Sequence, residues 1–462
     1  MKRPFDLWFS EQVEALAVAI AMALVLKFFV IEAYQIPSGS MQPTILGDRA
    51  TGIKDRVIAD KLITMLRPPQ RWEVMIFRFP SDERRLYVKR IVGLPGETLE
   101  IAGGDIWIDG KVARKPDHVN ASVLKTLFPE YDGGVDIGRV FVGAGPDIVV
   151  TGDRASFAPG ADGELRLRQT VYARYDHGYD PAWGIAPSVD GPEAVSDLDI
   201  TLDVRLDEGA TGLTLRFSAD DGERELFLPR RGAGLAARVV YRPGGGDEVV
   251  YLDDPGLSIP AGRDVEVLAR HVDRQVLLQV DGDEWLRHDE DDLGPLPLRP
   301  MRARVALAVA GGGRVQDVVL RRDIFYTPRF VPDPRWEIPD DSYFAMGDNT
   351  QSSLDCRGFA RRTYAVRGAD GEVRSITGFA FEHLGPGPGP PDQNPRPLAD
   401  GRLEFADIHG DTWAFAPGDI VPQGSQPYTE QPAPFIHRRY LLGKVLAVFW
   451  PVYDPFRWKL VR

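Results

Sequence analysis

The chain has 462 residues, enough for about three domains, and its hydrophobic share of 43% and charged share of 27% exclude a wholly disordered protein. Its formal net charge of −13 argues against nucleic acid as a partner, and against broad adhesion to anionic lipid, because phosphate binding needs a basic face. With one cysteine, Cys356, neither an intramolecular disulfide nor a cysteine metal cluster can form.

Residues 15–31 are apolar except for Lys27, which lies one turn from the end and can snorkel to an interface. Val13, Tyr34 and Ile36 extend the apolar reach. The run predicts a single transmembrane helix over 13–34, after a cytoplasmic N-terminus of residues 1–12. Lys2 and Arg3 mark that end as the inner one, which puts the rest outside the cell or inner membrane. Glu14 and Glu32 at the edges make the run a poor cleaved secretion signal.

Beyond it the pattern changes to strands bounded by proline and glycine. Residues 72–77 and 86–92 read as strands, Pro95 and Gly96 as a turn, and 106–110 as the first half of a hairpin. From about 166 the texture changes again. Residues 198–206 alternate apolar and polar without a break; 213–217, 264–268, 276–280 and 304–309 follow. Turn residues such as Asp220, Asp221, Gly222, Asp281 and Gly282 separate them. Many short strands with turn chemistry between them predict an antiparallel β-sandwich, and the stretch 274–282 resembles concanavalin-like or laminin-G-like jelly-roll modules. Residues 385–391 alternate glycine and proline and predict a loop. Residues 440–451 predict a final buried strand.

The chemistry is concentrated in three places. Pro37, Ser38, Gly39, Ser40, Met41, Gln42, Pro43 and Thr44 put two serines on a bend that cannot be regular helix. A serine there attacks only if a base is near. The seven histidines are scattered and form no zinc motif, which turns attention to lysine. Lys89 shares a predicted strand face with Tyr87 and Ile91. Its solvated pKa of about 10.4 is too high for a base, but burial lowers it. The third place, 346–357, is dense in hydrogen-bonding groups able to orient a catalytic pair. The acidic run 289–292 lacks calcium-loop spacing and reads as a solvated surface.

Taken in order, these segments resemble the bacterial type I signal peptidases. Residues 37–44 are similar to that family's serine box. Residues 87–97 are similar to its lysine box, and Gly347, Asp348, Asn349, Ser353, Asp355 and Arg357 to its downstream box. Gly443 to Pro451 resembles its last strand, and 72–80 the strand bordering its substrate groove. Thr350 stands where the family usually has arginine, and Cys356 where it often has serine. Many members also have two spans; one is found here.

The resemblance implies a membrane-bound serine endopeptidase with Ser40 as nucleophile and Lys89 as general base. It implies Ser38 as the oxyanion-hole hydroxyl and Ser353 as a hydroxyl bonded to the lysine. Asp348, Asp355 and Arg357 would be support, and Met41, Ile76 and Phe77 would line the groove. No metal and no organic cofactor is implied. The partners would be preproteins, cut after small residues of the A-x-A type, and membrane lipid. The expected division is a mainly β chain. Residues 35–115 and 328–462 form the catalytic domain, with a loop at 385–398; 116–165 form a linker or extension, and 166–327 the inserted sandwich, whose ligand is not read from the sequence. One alternative is a membrane-anchored binding protein with a dead peptidase core. Another is a self-cleaving Ser–Lys switch, but no convincing internal small-x-small site is present.

Overall fold

The computed structural model describes every residue except 1–4, 48–53, 81, 130–135, 145–146, 161, 174–193, 295–303, 329–330, 332, 381–393, 451–457 and 462. The fold is mainly β, with β-sandwich sheets, and divides into two compact units. The first contains residues 1–98, 337–348 and 352–462; the second contains 99–336 and 349–351.

The first unit opens with a helix, α1 (Phe5–Val25), which passes into a π-helical turn, Leu26–Val30. Leu16, Val18, Ile20, Met22 and Leu24 of α1 are all exposed. Among the described residues, no helix is long and apolar enough to cross a membrane. The expected helix over 13–34 also ends early. From Ile31 the chain is strand β1 (Ile31–Gln35), which pairs antiparallel with β2 (Arg56–Asp60). There, hydrogen bonds to a neighbouring strand replace those along a helix.

The sheet of this unit runs β1, β2, Leu441–Trp450, β3 (Val74–Phe79), β4 (Asp82–Gly93), Ser342–Met346, Ile436–His437, with Lys459–Leu460 beside Leu441–Trp450. All of its pairings are antiparallel. The C-terminal strand thus lies between β2 and β3, remote in sequence but adjacent in space. Ile36, Met41, Ile45, Val74, Ile76 and Val445 share one core, which seats the serine-bearing bend against the sheet. A smaller core of Tyr364, Val366, Ile376, Phe405 and Phe415 supports two three-stranded sheets nearer the C-terminus. The glycine–proline stretch 385–391 lies outside the described residues.

The second unit has two large antiparallel sheets enclosing a core that includes Ile200, Leu202, Leu215, Leu226, Val267, Leu278 and Leu307. Alternation in the sequence translates directly: Leu198–Leu206 is a strand, its apolar residues buried. Asp281 and Gly282 join Gln275–Val280 to Asp283–Asp289, both with positive φ, 50° and 84°, as a tight hairpin turn requires. Residues 116–165 differ from expectation. Much of this stretch is strand: Lys125–Phe128, Ile148–Thr151 and Arg154–Phe157 join one large sheet, while Phe141–Ala144 and Asp162–Leu167 join the other. Phe128, Phe141, Phe157 and Leu165 belong to the common core, and their burial is what makes the stretch part of the sandwich. The expected first half of a hairpin at 106–110 is found as Asp105–Ile108, which turns through Asp109 and Gly110 to pair with Lys111–Val112 and also pairs with Thr98–Ala102.

Candidate active site

Ser40 sits in a single 3-10 turn, Gly39–Met41, which follows an extended Ser38. The bend is pinned from both ends. Ile36 donates its backbone N–H to Asp55, and Ile45 donates to Met41. Gly47 packs beneath it; a Cβ there would lie 2.5 Å from the Ile36 carbonyl oxygen and 2.6 Å from that of Ser38. A side chain at 47 would therefore push the serine turn away.

Lys89 comes from β4 and is 2% exposed. Its Nζ donates to Ser40 Oγ at 2.6 Å. Burial strips water from the ammonium and lowers its pKa to about 8, although the nearby carboxylates of Asp355 and Asp348 pull the other way. The Tyr87 ring, 5.8 Å from Nζ, closes part of the surroundings. Tyr87 is held by Phe79, at 5.0 Å between ring centroids, and Phe79 by Phe359 and Phe379. Ser38 Oγ lies 3.4 Å from Ser40 Oγ. Among the expected residues, then, Ser38, Ser40 and Lys89 come together at hydrogen-bonding range.

Gly347, Asp348, Asp355 and Arg357 lie around them. Asp355 accepts from Arg357 Nε and Nη2, both at 2.8 Å, and from the Gly347 backbone N–H at 3.1 Å. Burial would raise the Asp355 pKa, but Arg357 and Lys89 outweigh it and hold the carboxyl below its usual range. Asp348 turns elsewhere. It takes Arg90 Nε at 2.8 Å and Nη2 at 2.7 Å, and it also accepts from the Thr44 hydroxyl. Arg90 Nη1 donates to the Trp72 carbonyl at 2.7 Å, and Arg90 and Asp348 are both fully buried.

Arg90 and Thr44 lie within the lysine and serine motifs, which by themselves give them no role. A signal existed: neighbours on a strand face opposite sides, so Lys89 and Arg90 can both be buried only where both faces of β4 are covered. Gly347 is a second such residue. A Cβ there would lie 2.3 Å from the Ser40 carbonyl oxygen and 2.3 Å from Ser353 Oγ. Only glycine lets the two segments approach this closely.

Two expectations differ. The Ser353 hydroxyl is buried beside Gly347, but no hydrogen bond joins it to Lys89; it lies near the Asp355 carboxyl, whose pKa it helps to lower. Met41, Ile76 and Phe77, expected to line a groove, are each 0% exposed. β3 is paired on both edges and covered on both faces, so its apolar side chains fill the interior.

Residues 9–143 match the family model described as signal peptidase, peptidase S26. The motif resemblance to type I signal peptidases is borne out. The signal peptidase I of Pseudomonas fluorescens is 44% identical over 103 residues, 20% of this chain and 36% of that protein. The probable signal peptidase I-2 of Synechocystis is 34% identical over 115 residues, 24% of this chain and 49% of that protein. The chain thus spans between about a third and a half of the length of these curated relatives. Among solved structures, a carbohydrate binding module from Bacillus subtilis is 9% identical, covering 39% of this chain and 94% of its own at a TM-score of 0.26. The family match stops short of Gly347, Asp355 and the C-terminal strand, whose positions around Ser40 and Lys89 come from the folded chain alone.

Proposed function

We propose that this chain is a type I signal peptidase, a membrane-bound serine endopeptidase that removes signal peptides from exported preproteins. The observation that carries the reading is the 2.6 Å contact from a buried lysine amine to the Ser40 hydroxyl. Burial favours neutral lysine, and a neutral amine can take a proton.

Ser40 Oγ attacks the scissile carbonyl carbon, and its proton passes to neutral Lys89. The negative charge that develops on the carbonyl oxygen is met by the Ser38 hydroxyl and the Ser40 backbone N–H. The Lys89 ammonium then gives its proton to the departing amine, leaving an ester on Ser40. Water attacks that ester, its proton passes to Lys89, and the Lys89 ammonium returns a proton to Ser40 Oγ as the acid leaves. Asp355 and Arg357 hold the wall of the site, Ser353 fills the space against Gly347, and Asp348 ties β4 to the serine turn through Arg90. The substrate is the extended segment after a signal-peptide apolar core, with small residues flanking the cut.

The anchor belongs to the same proposal. Leu16, Val18, Ile20, Met22 and Leu24 of α1 are apolar and exposed, a pattern stable in lipid but not in water. With the π-helical turn to Val30, they form the single-pass anchor, with the catalytic unit on the extracytoplasmic side of the cell membrane. Anchoring would hold enzyme and preprotein on one surface and raise their effective concentration. The test is cleavage of a model preprotein by the full-length chain in detergent, beside Ser40→Ala. Wild type should release the mature protein, and the variant should not. Equal cleavage by both would end the proposal.

A further inference from the structure

Four carboxylates converge at one end of a sandwich sheet. The strand Leu198–Leu206 lies between Gly313–Arg322 and Val265–Val272, with Leu198 opposite Arg322 on one side and His271 on the other. That register brings Asp197, Asp273 and Asp323, each just beyond a strand end, into one place. Asp105, at the start of Asp105–Ile108, completes the group. One oxygen from each of Asp105, Asp197 and Asp273 lies within 4.8 Å of the others.

The charges are unequal. Lys115 supplies the ammonium, donating to Asp273 and reaching Asp323 at 2.8 Å. Its backbone N–H donates to Asp273 Oδ2 at 3.0 Å. Asp197 accepts the Asp273 N–H at 2.8 Å and the Ser196 hydroxyl at 3.3 Å. His271 faces Asp197 but its Nε2 is 3.1 Å from Glu290. Asp105 is 6% exposed, and among the described residues neither a hydrogen-bond donor nor an ion-pair partner meets its carboxylate. Asp323, 1% exposed, has an Oδ1 that meets no donor among the described residues. A buried carboxylate aimed at two others without a donor is costly unless positive charge or a proton joins it.

We propose that Asp105, Asp197 and Asp273 form a binding site for a hard divalent cation, calcium by its chemistry, within the sandwich unit. All the ligand atoms are carboxylate oxygens, which suit calcium or magnesium over the softer metals. Two oxygens on one calcium, each about 2.5 Å from it, stand at most about 5 Å apart, and these satisfy that limit. Magnesium holds its ligands closer and keeps its waters, so calcium fits a cluster with this span better. The site is separate from Ser40 and Lys89 in chemistry and in unit.

The full-length protein in detergent, stripped with a chelator and dialysed, would be titrated with calcium chloride alone by calorimetry and by thermal unfolding. The expected result is one calcium per chain and a higher melting midpoint. Asp105→Asn should weaken binding by at least about tenfold, since even groups behind metal ligands cost that much when lost. The double variant Asp291→Asn, Asp292→Asn, in the exposed acidic run, should bind as wild type does. Absence of binding to wild type, with a melting midpoint indifferent to calcium and chelator, would overturn the proposal in favour of a proton shared among the aspartates. Unchanged binding in Asp105→Asn, or its loss in the 291/292 variant, would also overturn it.

Discussion

Lys89 and Ser40 are 49 residues apart in the chain and 2.6 Å apart in the fold, amine to hydroxyl. They come together because β4 carries the lysine into the sheet while the turn at Gly39–Met41 packs against the same core. The pair has the geometry of a nucleophile and its base, and it can be tested from either side.

From the serine side, Ser40→Ala should abolish preprotein cleavage while the protein stays folded and anchored. Ser38→Ala should be milder, with a loss of about 10²–10³ in kcat, the usual cost of one oxyanion donor. Rates measured for both variants on one preprotein decide this, and near-normal turnover in Ser40→Ala would assign the attack to another residue.

From the lysine side, Lys89→Arg should be as inactive as Lys89→Met. Arginine keeps the charge but does not release a proton in a protein. The acidic limb of kcat/KM against pH should have its midpoint near 8 in the wild type, where Lys89 loses its proton. An active Lys89→Arg enzyme would remove lysine from the mechanism.

The same burial has a consequence for stability. The folded pKa of Lys89 lies below its unfolded value, so folding penalises the charged form. The unfolded chain binds more protons between about pH 8 and 10.5, and stability contributed by this group rises across that window. Below pH 8 the full penalty applies, at most about 3 kcal/mol for a shift of this size. Lys89→Met should therefore be more resistant to urea than wild type at pH 7, and the gap should close above pH 10. A less stable variant at pH 7 would mean that the Ser40 contact outweighs the desolvation of the amine.

Gly347→Ala should cut activity sharply with a modest effect on folding. Its Cβ would meet the Ser40 carbonyl oxygen and Ser353 Oγ at 2.3 Å each, and the serine turn must shift to admit it. Displacing a reacting group by about 1 Å can cost on the order of 10² in rate. Pairing with Ser353→Gly, which removes the second clash, should restore part of kcat; no rescue would place the damage at the Ser40 carbonyl alone.

For the anchor, the protein should resist alkaline carbonate extraction from membranes and keep its N-terminus before residue 15. A mature N-terminus beyond Ile31 would instead mark the apolar run as a cleaved signal.

Much of this protein was determined by its sequence alone. Alternation over 198–206, with turn chemistry at Asp281 and Gly282, specified sandwich strands, because side-chain period and positive φ are local properties. The serine and lysine motifs could be read for the same reason: each lies within a dozen residues. The tertiary structure decided what local reading could not reach. Asp348 pairs with Arg90 across 258 positions, and no pattern at either end announces the other. Met41, Ile76 and Phe77 read as groove residues in the sequence, but packing of the serine turn buries Met41 in the core and coverage of both faces of β3 buries Ile76 and Phe77. Residues 116–165 looked like a connection because their strands are short and find partners far along the chain. The aspartates at 105, 197, 273 and 323 carry no shared motif. Only strand register brings them together, since burial and proximity belong to the whole fold and not to any segment of it.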